Sequence, residues 1–331
     1  MFETVRNAFK LKEIRSRIIY TLLMLVVVRI GTQLPIPGVN GSYFSEWFSG
    51  NSGSAFGFFD AITGGSFEKM SVFALNITPY ITSSIIIQLL TIAIPKLEEL
   101  QKDGEEGRKK MTAITRYLTV ALALMESLAM AIGFGKSGLL LEYNALNIIT
   151  AVVTLTAGST VIMWIGERIT ENGVGNGISI VLTINIISRI PQDLTLLFEQ
   201  FVKGKEIAFQ VLNLAIIIVI IIAVTVLTVT LQGAERRIPV QYSRKVQGRK
   251  QIGGQSSYIP LKVNTAGVIP IIFAQSLFMF PLIIMQLLGK SGGNGVGGTI
   301  LKMLNQSTGA ISKSRIYSIG LIVYIVLVIA F

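Results

Sequence analysis

The chain contains no cysteine and no histidine. The first absence removes thiolate nucleophiles and disulfide cross-links, the second removes imidazole acid–base chemistry, and together they remove the usual zinc ligands. Charge is scarce as well. Only 14% of the residues are charged against 51% hydrophobic, and the mean hydropathy of +0.64 excludes an ordinary soluble globule. A G-x-x-x-x-G-K-[ST] phosphate loop is also missing. The "GVGNG" at 173–177 has no lysine after it and suits a turn that opens a helix. No catalytic residue, cofactor or metal site is expected, and the chain is not expected to be an enzyme.

What is abundant is apolar sequence of membrane-crossing length, for which a hydrocarbon core of about 30 Å sets the scale. Eight runs stand out, roughly 18–34, 71–94, 114–133, 147–166, 177–190, 209–231, 266–289 and 315–331. The fifth is short for a crossing. The eighth is still apolar at Phe331, so the sequence is expected to continue into a longer bundle. The basic start has no small-residue cleavage site behind it, and the first span is expected to be retained.

Lys and Arg in alternate connections set the orientation. The N-terminal arm, the second-to-third, the fourth-to-fifth and the sixth-to-seventh connections carry 19, the opposite connections nine. A cytoplasmic N-terminus is the expectation, with most of the net charge of +11 on that face, where anionic lipid, an acidic partner or nucleic acid could meet it. Apart from Arg116, Arg189 and Arg315 near span ends, which count with the connections, the charged residues inside the spans are Arg29 and Glu126. A coupled transporter assembles several such groups at mid-membrane. These two are expected to be structural, Arg29 snorkelling or pairing with a loop carboxylate and Glu126 making one bond.

Two stretches break the pattern. From Gln232 to Asn264 the sequence alternates in "RRIPVQYSRKV", passes a Gly-rich tip and extends again in "SYIPLKV", the signature of a protruding basic β-hairpin. A connection this long is usually functional. The other stretch, "FFDAITGGSFEKMSVFALNITPYITSSIIIQLL" from Phe58 to Leu90, holds a Gly-Gly pair, the charged step Glu68-Lys69 and Pro79. Ile77, Ile81 and Ile85 recur in it every four residues, along one slowly rotating helix face. Asn76, Thr78, Thr82, Ser83, Ser84 and Gln88 surround them, a mixture that lipid alone would not require.

Four motifs carry a resemblance. "RIGTQLPIPGV" (29–39), "NITPYITSSIIIQLL" (76–90), "GERITENGVGNGISI" (166–180) and "QYSRKVQGRKQIGGQSSYIPLKVNTAGVIPIIFAQS" (241–276) together resemble the bacterial SecY family, the central subunit of the Sec protein-conducting channel (the SecYEG translocon). They follow the family's order over essentially the whole chain. Ser257 and Thr265 stand where many relatives have other residues, and the family has ten membrane helices. The resemblance implies an all-α polytopic membrane protein, a SecY-like helix bundle with a plug half-helix and pseudo-symmetric halves, 1–191 with helices 1–5 and 192–331 with helices 6–8, helices 9–10 lying outside this sequence.

Further implications follow from that family alone. The plug would be about 56–67, including Phe58, Phe59, Ile62, Thr63, Gly64 and Gly65, with local contacts and little burial. Ile77, Ile81, Ile85, Leu182, Ile186 and Ile272 would form an apolar pore ring that gates by dewetting. Arg236, Arg237, Arg244, Lys245, Arg249 and Lys250, on the hairpin of 232–264, would dock a ribosome, with ribosomal RNA contact, or the motor SecA. SecE and SecG would sit beside the channel, unfolded polypeptide would be the substrate, and apolar segments would leave into membrane lipid between the second and seventh helices. The location implied is the bacterial cytoplasmic membrane, crossed many times. A secondary transporter for a small solute is the alternative, and a membrane scaffold a third; the first would need a polar mid-membrane site, the second no plug.

Overall fold

The computed structural model describes residues 10–51, 60–204, 207–240, 245–247, 250–252, 257–265, 267, 270–275, 277 and 318–330. They fall into two compact units, 1–190 with 273–330, and 191–272.

In the first unit, helix α1 (Lys12–Gly31) begins with the charged residues Lys12, Glu13, Arg15 and Arg17 and ends at Gly31, so its apolar part is shorter than the run of 18–34 suggests. It buries Thr21, Val28 and Gly31 and turns Leu22, Leu23, Val26 and Ile30 outward. The loop after it, "QLPIPGVN", bonds on both sides. Val72 N–H donates to Leu34 O at 2.8 Å and Asn40 N–H to Leu139 O at 2.7 Å. A short helix α2 (Gly41–Asn51) follows and places Phe44 in a buried cluster, edge-on to Phe67 and to Phe134 with ring centroids 5.3 and 5.4 Å apart. Each such aromatic pair is worth about 0.5–1.5 kcal/mol beyond its area.

The run of 71–94 is not one helix. Residues 71–77 form turns, and helix α3 (Thr78–Ala93) starts only where Pro79 occupies its first turn, a position that needs no N–H. Pro79 therefore begins the helix. After Ala93 the chain bends by 105° into helix α4 (Pro95–Lys102), exposed along most of its length and tied by Glu98–Lys102 at 2.7 Å. That hydrogen bond to Lys102 holds the Glu98 carboxyl below its usual range.

Helices α5 (Gly104–Phe134) and α6 (Ala145–Asn172) form the most extensive pairing and extend beyond the apolar runs that announced them. On α5 the buried residues Thr115, Thr119, Ala123, Ser127 and Ala131 recur every four positions. Small side chains in register let helix backbones approach in lipid, where no hydrophobic force draws them together. Ser127 Oγ and Thr156 Oγ1 lie 3.0 Å apart across the seam, and Arg116 Nε donates to Glu167 Oε1 at 2.8 Å near one end. Among the described residues Arg29 makes no ion pair with a loop carboxylate, and its Nη1 is buried without a hydrogen bond there.

Helix α7 (Gly177–Phe201) corrects the short fifth span: it runs for 25 residues, with Pro191 inside it. Its start is the "GVGNG" turn. Asn176 Oδ1 accepts from the N–H groups of Ile178 and Ser179, and Thr170 Oγ1 accepts from Gly177 N–H, so the donors that a phosphate would need are occupied within the protein. The boundary between the two units falls at Pro191.

The second unit holds helix α8 (Ile207–Gly233), apolar on every side and exposed along nearly all of its described residues. Such a helix suits a lipid surrounding. Then β1 (Glu235–Val240) pairs antiparallel with β4 (Ser257–Lys262), with Glu235 opposite Lys262, and β2 (Lys245–Gln247) pairs with β3 (Lys250–Ile252). Pro239 and Pro260 are tolerated because each strand has one partner only. A final helix, α9 (Ser318–Ala330), belongs to the first unit. By length and composition, four of the described helices qualify as crossings, α5, α6, α7 and Phe209–Gly233 of α8, and the bent pair α3–α4 is a fifth candidate.

Candidate functional site

Residues 60–77 form a folded turn segment held by its own side chains. A single helical turn at 60–63 leads into Gly64 and Gly65, both at positive φ (+70° and +80°). Thr63 Oγ1 donates to Asp60 O, and Glu68 N–H donates to Asp60 Oδ1 at 2.8 Å. Ser66 Oγ reaches the carbonyls of Thr63 and Phe73 at 2.9 and 3.0 Å. Asn76, itself at φ +51°, donates from Nδ2 to Thr63 O and accepts from Ile77 N–H through Oδ1. Its carbonyl receives Ser159 Oγ of α6 at 2.9 Å. Many of the backbone groups that this non-helical stretch leaves outside regular structure thereby gain a protein partner, as such backbone requires at membrane depth.

The segment is buried far more deeply than local contacts would require. Asp60, Thr63, Ser66 and Phe67 are all inaccessible or nearly so. Ile62, Gly64 and Gly65 lie in the same turn, whereas Phe58 and Phe59 fall outside the described residues. The cause is tertiary. Phe67 enters the cluster with Phe44 and Phe134, and Gly64 lies against α7 so closely that a β-carbon would stand 2.7 Å from Asn185 O. One turn further along α7, Arg189 forms an ion pair with Asp60 and lies 4.0 Å from Glu68 Oε2. Asn185 is wholly buried, and its Nδ2 and Oδ1 have no hydrogen-bond partner among the described residues.

The apolar positions separate into different surroundings. Ile77, Ile81 and Leu182 come together. Ile77 is fully buried among Val28, Ile162, Ile165, Ile169 and Val181, and Ile81 and Leu182 pack on that cluster from α3 and α7. Ile85 is buried two turns up α3, while Ile186, one turn beyond Leu182, is 48% exposed. Ile272 belongs to the second unit and is half-buried there. In the hairpin, Arg236 and Arg237 are exposed on β1, and the Arg237 guanidinium sits 4.8 Å from the Tyr258 ring centroid. Lys245 and Lys250 lie on β2 and β3; Arg244 and Arg249 are outside the described residues.

Nothing in the sequence joins Asp60, Glu68 and Arg189: Asp60 lies in the stretch expected to plug, Glu68 in the charged step just after it, and Arg189 counts only as a loop charge. No spacing connects residues 129 positions apart, so the only available signal was an acidic residue at the entrance to a Gly-Gly turn.

A polytopic helical membrane protein with a folded, charge-paired segment seated against one of its helices is the class that these features define. A SecY family model matches residues 71–331. The chain is 38% identical over 336 residues to the protein translocase subunit SecY of Halalkalibacterium halodurans, an alignment covering 100% of this chain and 75% of that one. It is 42% identical to the protein of the same name from Streptomyces scabiei, covering 88% and 69%, and 41% identical to that of Pseudomonas aeruginosa, covering 86% and 64%. The chain belongs to the SecY family.

Solved structures agree on the fold. A protein-conducting channel superposes with a TM-score of 0.62 at 20% identity, over 96% of this chain and 70% of that one. A SecY structure solved to address its plug domain gives 0.62, again at 20% identity, over 94% and 69%. Sec61 from a canine ribosome–channel complex gives 0.60 at 20% identity, over 94% and 69%.

Proposed function

We infer that this chain is a channel subunit that conducts unfolded polypeptide across a membrane and releases apolar segments sideways into lipid. Its membership of the SecY family is the observation that carries the reading. The residues fit passive conduction. The pathway candidates are branched apolar side chains, which exclude water and ions without bonding to particular sequences, and the buried polar groups at 60–77 satisfy backbone instead of a solute. A small-solute transporter would need the opposite arrangement.

In this reading residues 56–67 are the plug and leave their seat when a chain enters. Ile81, Ile85, Leu182 and Ile186 line the constriction, while Ile77 anchors the start of α3 in the neighbouring packing. An apolar segment exits where transfer from water gains about 25 cal/mol per Å². Driving energy comes from a partner, a ribosome or SecA docked on Arg236, Arg237, Arg244, Lys245, Arg249 and Lys250, with SecE and SecG alongside. The N-terminus and these loops face the cytoplasm of a bacterium, following the distribution of Lys and Arg.

Vesicles containing the complete channel test this reading. Partner-driven uptake of an unfolded secretory polypeptide, without uptake of labelled sugars, amino acids or ions, is the expected result. Solute uptake that needs no partner, with no polypeptide entering, would overturn it.

A further inference from the structure

The charges around 60–68 are placed as no packing requirement explains. Asp60 is wholly buried and divides its carboxylate, Oδ1 accepting from Glu68 N–H and Oδ2 meeting Arg189 Nη1. Glu68 adds a second carboxylate 4.0 Å from Arg189 Nη2 and is itself held by Ser45 Oγ at 3.1 Å. We propose that the Asp60–Arg189 pair, with Glu68 beside it, is an electrostatic latch that holds the 60–68 segment on α7 while the pathway is closed, with Arg189 as its positioning residue. The proposal rests on the plug reading above.

Three features support it. The contacts lie on one face of α7, because Asn185 under Gly64 and Arg189 under Asp60 are four residues apart. The segment thus has a seat with a steric part and a charged part. A buried ion pair is also a poor source of stability but a costly one to split in dry surroundings, since each partner is left uncompensated. Where water enters, that cost falls. A latch of this kind holds while its buried site is dry and releases when an arriving polypeptide admits water. Finally, the seat is imperfect. Among the described residues the buried Asn185 amide has neither its donor nor its acceptor partnered, which penalises the closed arrangement and keeps it close to release.

The test uses the complete channel with its partner subunits in planar bilayers, with no polypeptide present, recording how often it opens. Asp60→Asn keeps an acceptor for Glu68 N–H and removes the charge, and it is the variant least prone to misfold. Arg189→Gln removes the other partner. Each is expected to raise the opening frequency about tenfold or more, since removing one partner of a buried ion pair leaves the other uncompensated. Arg189→Lys, which restores the charge, should return most of the way to the parent. A deletion of 60–67 supplies the reference. If the deletion opens the channel while Asp60→Asn and Arg189→Gln behave as the parent, the latch is wrong and the plug survives. Arg189→Lys opening as often as Arg189→Gln would also overturn it, because shape and not charge would then hold the seat. A deletion that leaves the channel shut removes the plug reading itself.

Discussion

Gly64 rests on the backbone of Asn185 with no room for a side chain: a β-carbon there would approach Asn185 O to 2.7 Å, and the residue sits at φ +70°. Its neighbour Gly65 has φ +80° but nothing within 4 Å of an added β-carbon. The two glycines therefore separate backbone strain from steric fit. Gly65→Ala should lose only the left-handed penalty, roughly 1–2 kcal/mol. Gly64→Ala should lose more and should also unseat the segment. Thermal unfolding of the purified channel compares the two, and equal losses would show that the contact with α7 is immaterial.

Thr63 offers a direct view of movement. Its side chain is fully buried, and the chain has no native cysteine to confuse labelling. A cysteine substituted for Thr63 should be protected from a membrane-impermeant thiol reagent at rest and should react when a translocation intermediate is lodged in the channel. Equal rates in the two states would mean that the segment is static.

The apolar ring predicts a leak. Replacing Ile81 and Ile186 together with Ser should wet the constriction and raise ion conductance in the absence of polypeptide. Ile77→Ser should instead lower stability, because that side chain is buried in the packing of α1, α6 and α7 and a hydroxyl there lacks a partner. Conductance and thermal stability measured on both variants separate pore lining from core. Unchanged conductance in the double variant would remove the ring assignment.

On the hairpin, Arg236 and Arg237 are exposed and Arg237 is oriented by Tyr258. Reversing both charges should weaken ribosome binding and flatten its salt dependence, since fewer counterions are released from phosphate. Tyr258→Ala should have a smaller effect, through loss of a cation–π contact of about 0.5–1 kcal/mol. Sedimentation with ribosomes across a salt series reads both. Equal affinity of the reversed variant and the parent at low salt would leave these charges a topological role only.

The bond from Ser159 Oγ to Asn76 O joins α6 to the turn before α3. Ser159→Ala should cost roughly 1–3 kcal/mol, the penalty for leaving a buried carbonyl unsatisfied, and the loss should appear as a lower melting temperature. An unchanged melting temperature would show that Asn76 finds another partner.

Composition and periodicity determined much of this protein. Apolar runs fix which segments enter lipid, because no polar alternative can satisfy the backbone there, and the helices α5, α6, α7 and α8 lie on those runs. The alternation around Ile238 and Ile259 likewise marked the strands that pair opposite each other. Tertiary structure decided what no window of sequence contains. Pro79 looks like a break within a helix and is in fact its start, because Ser66 and Asn76 offer the preceding turns an alternative set of hydrogen bonds. Arg189 looks like a loop cation, yet chain topology brings it to Asp60. The buried seat of 60–68 arises from partners in α2, α5 and α7, and close packing and charge pairing at such sequence distances depend on the fold that brings the partners together.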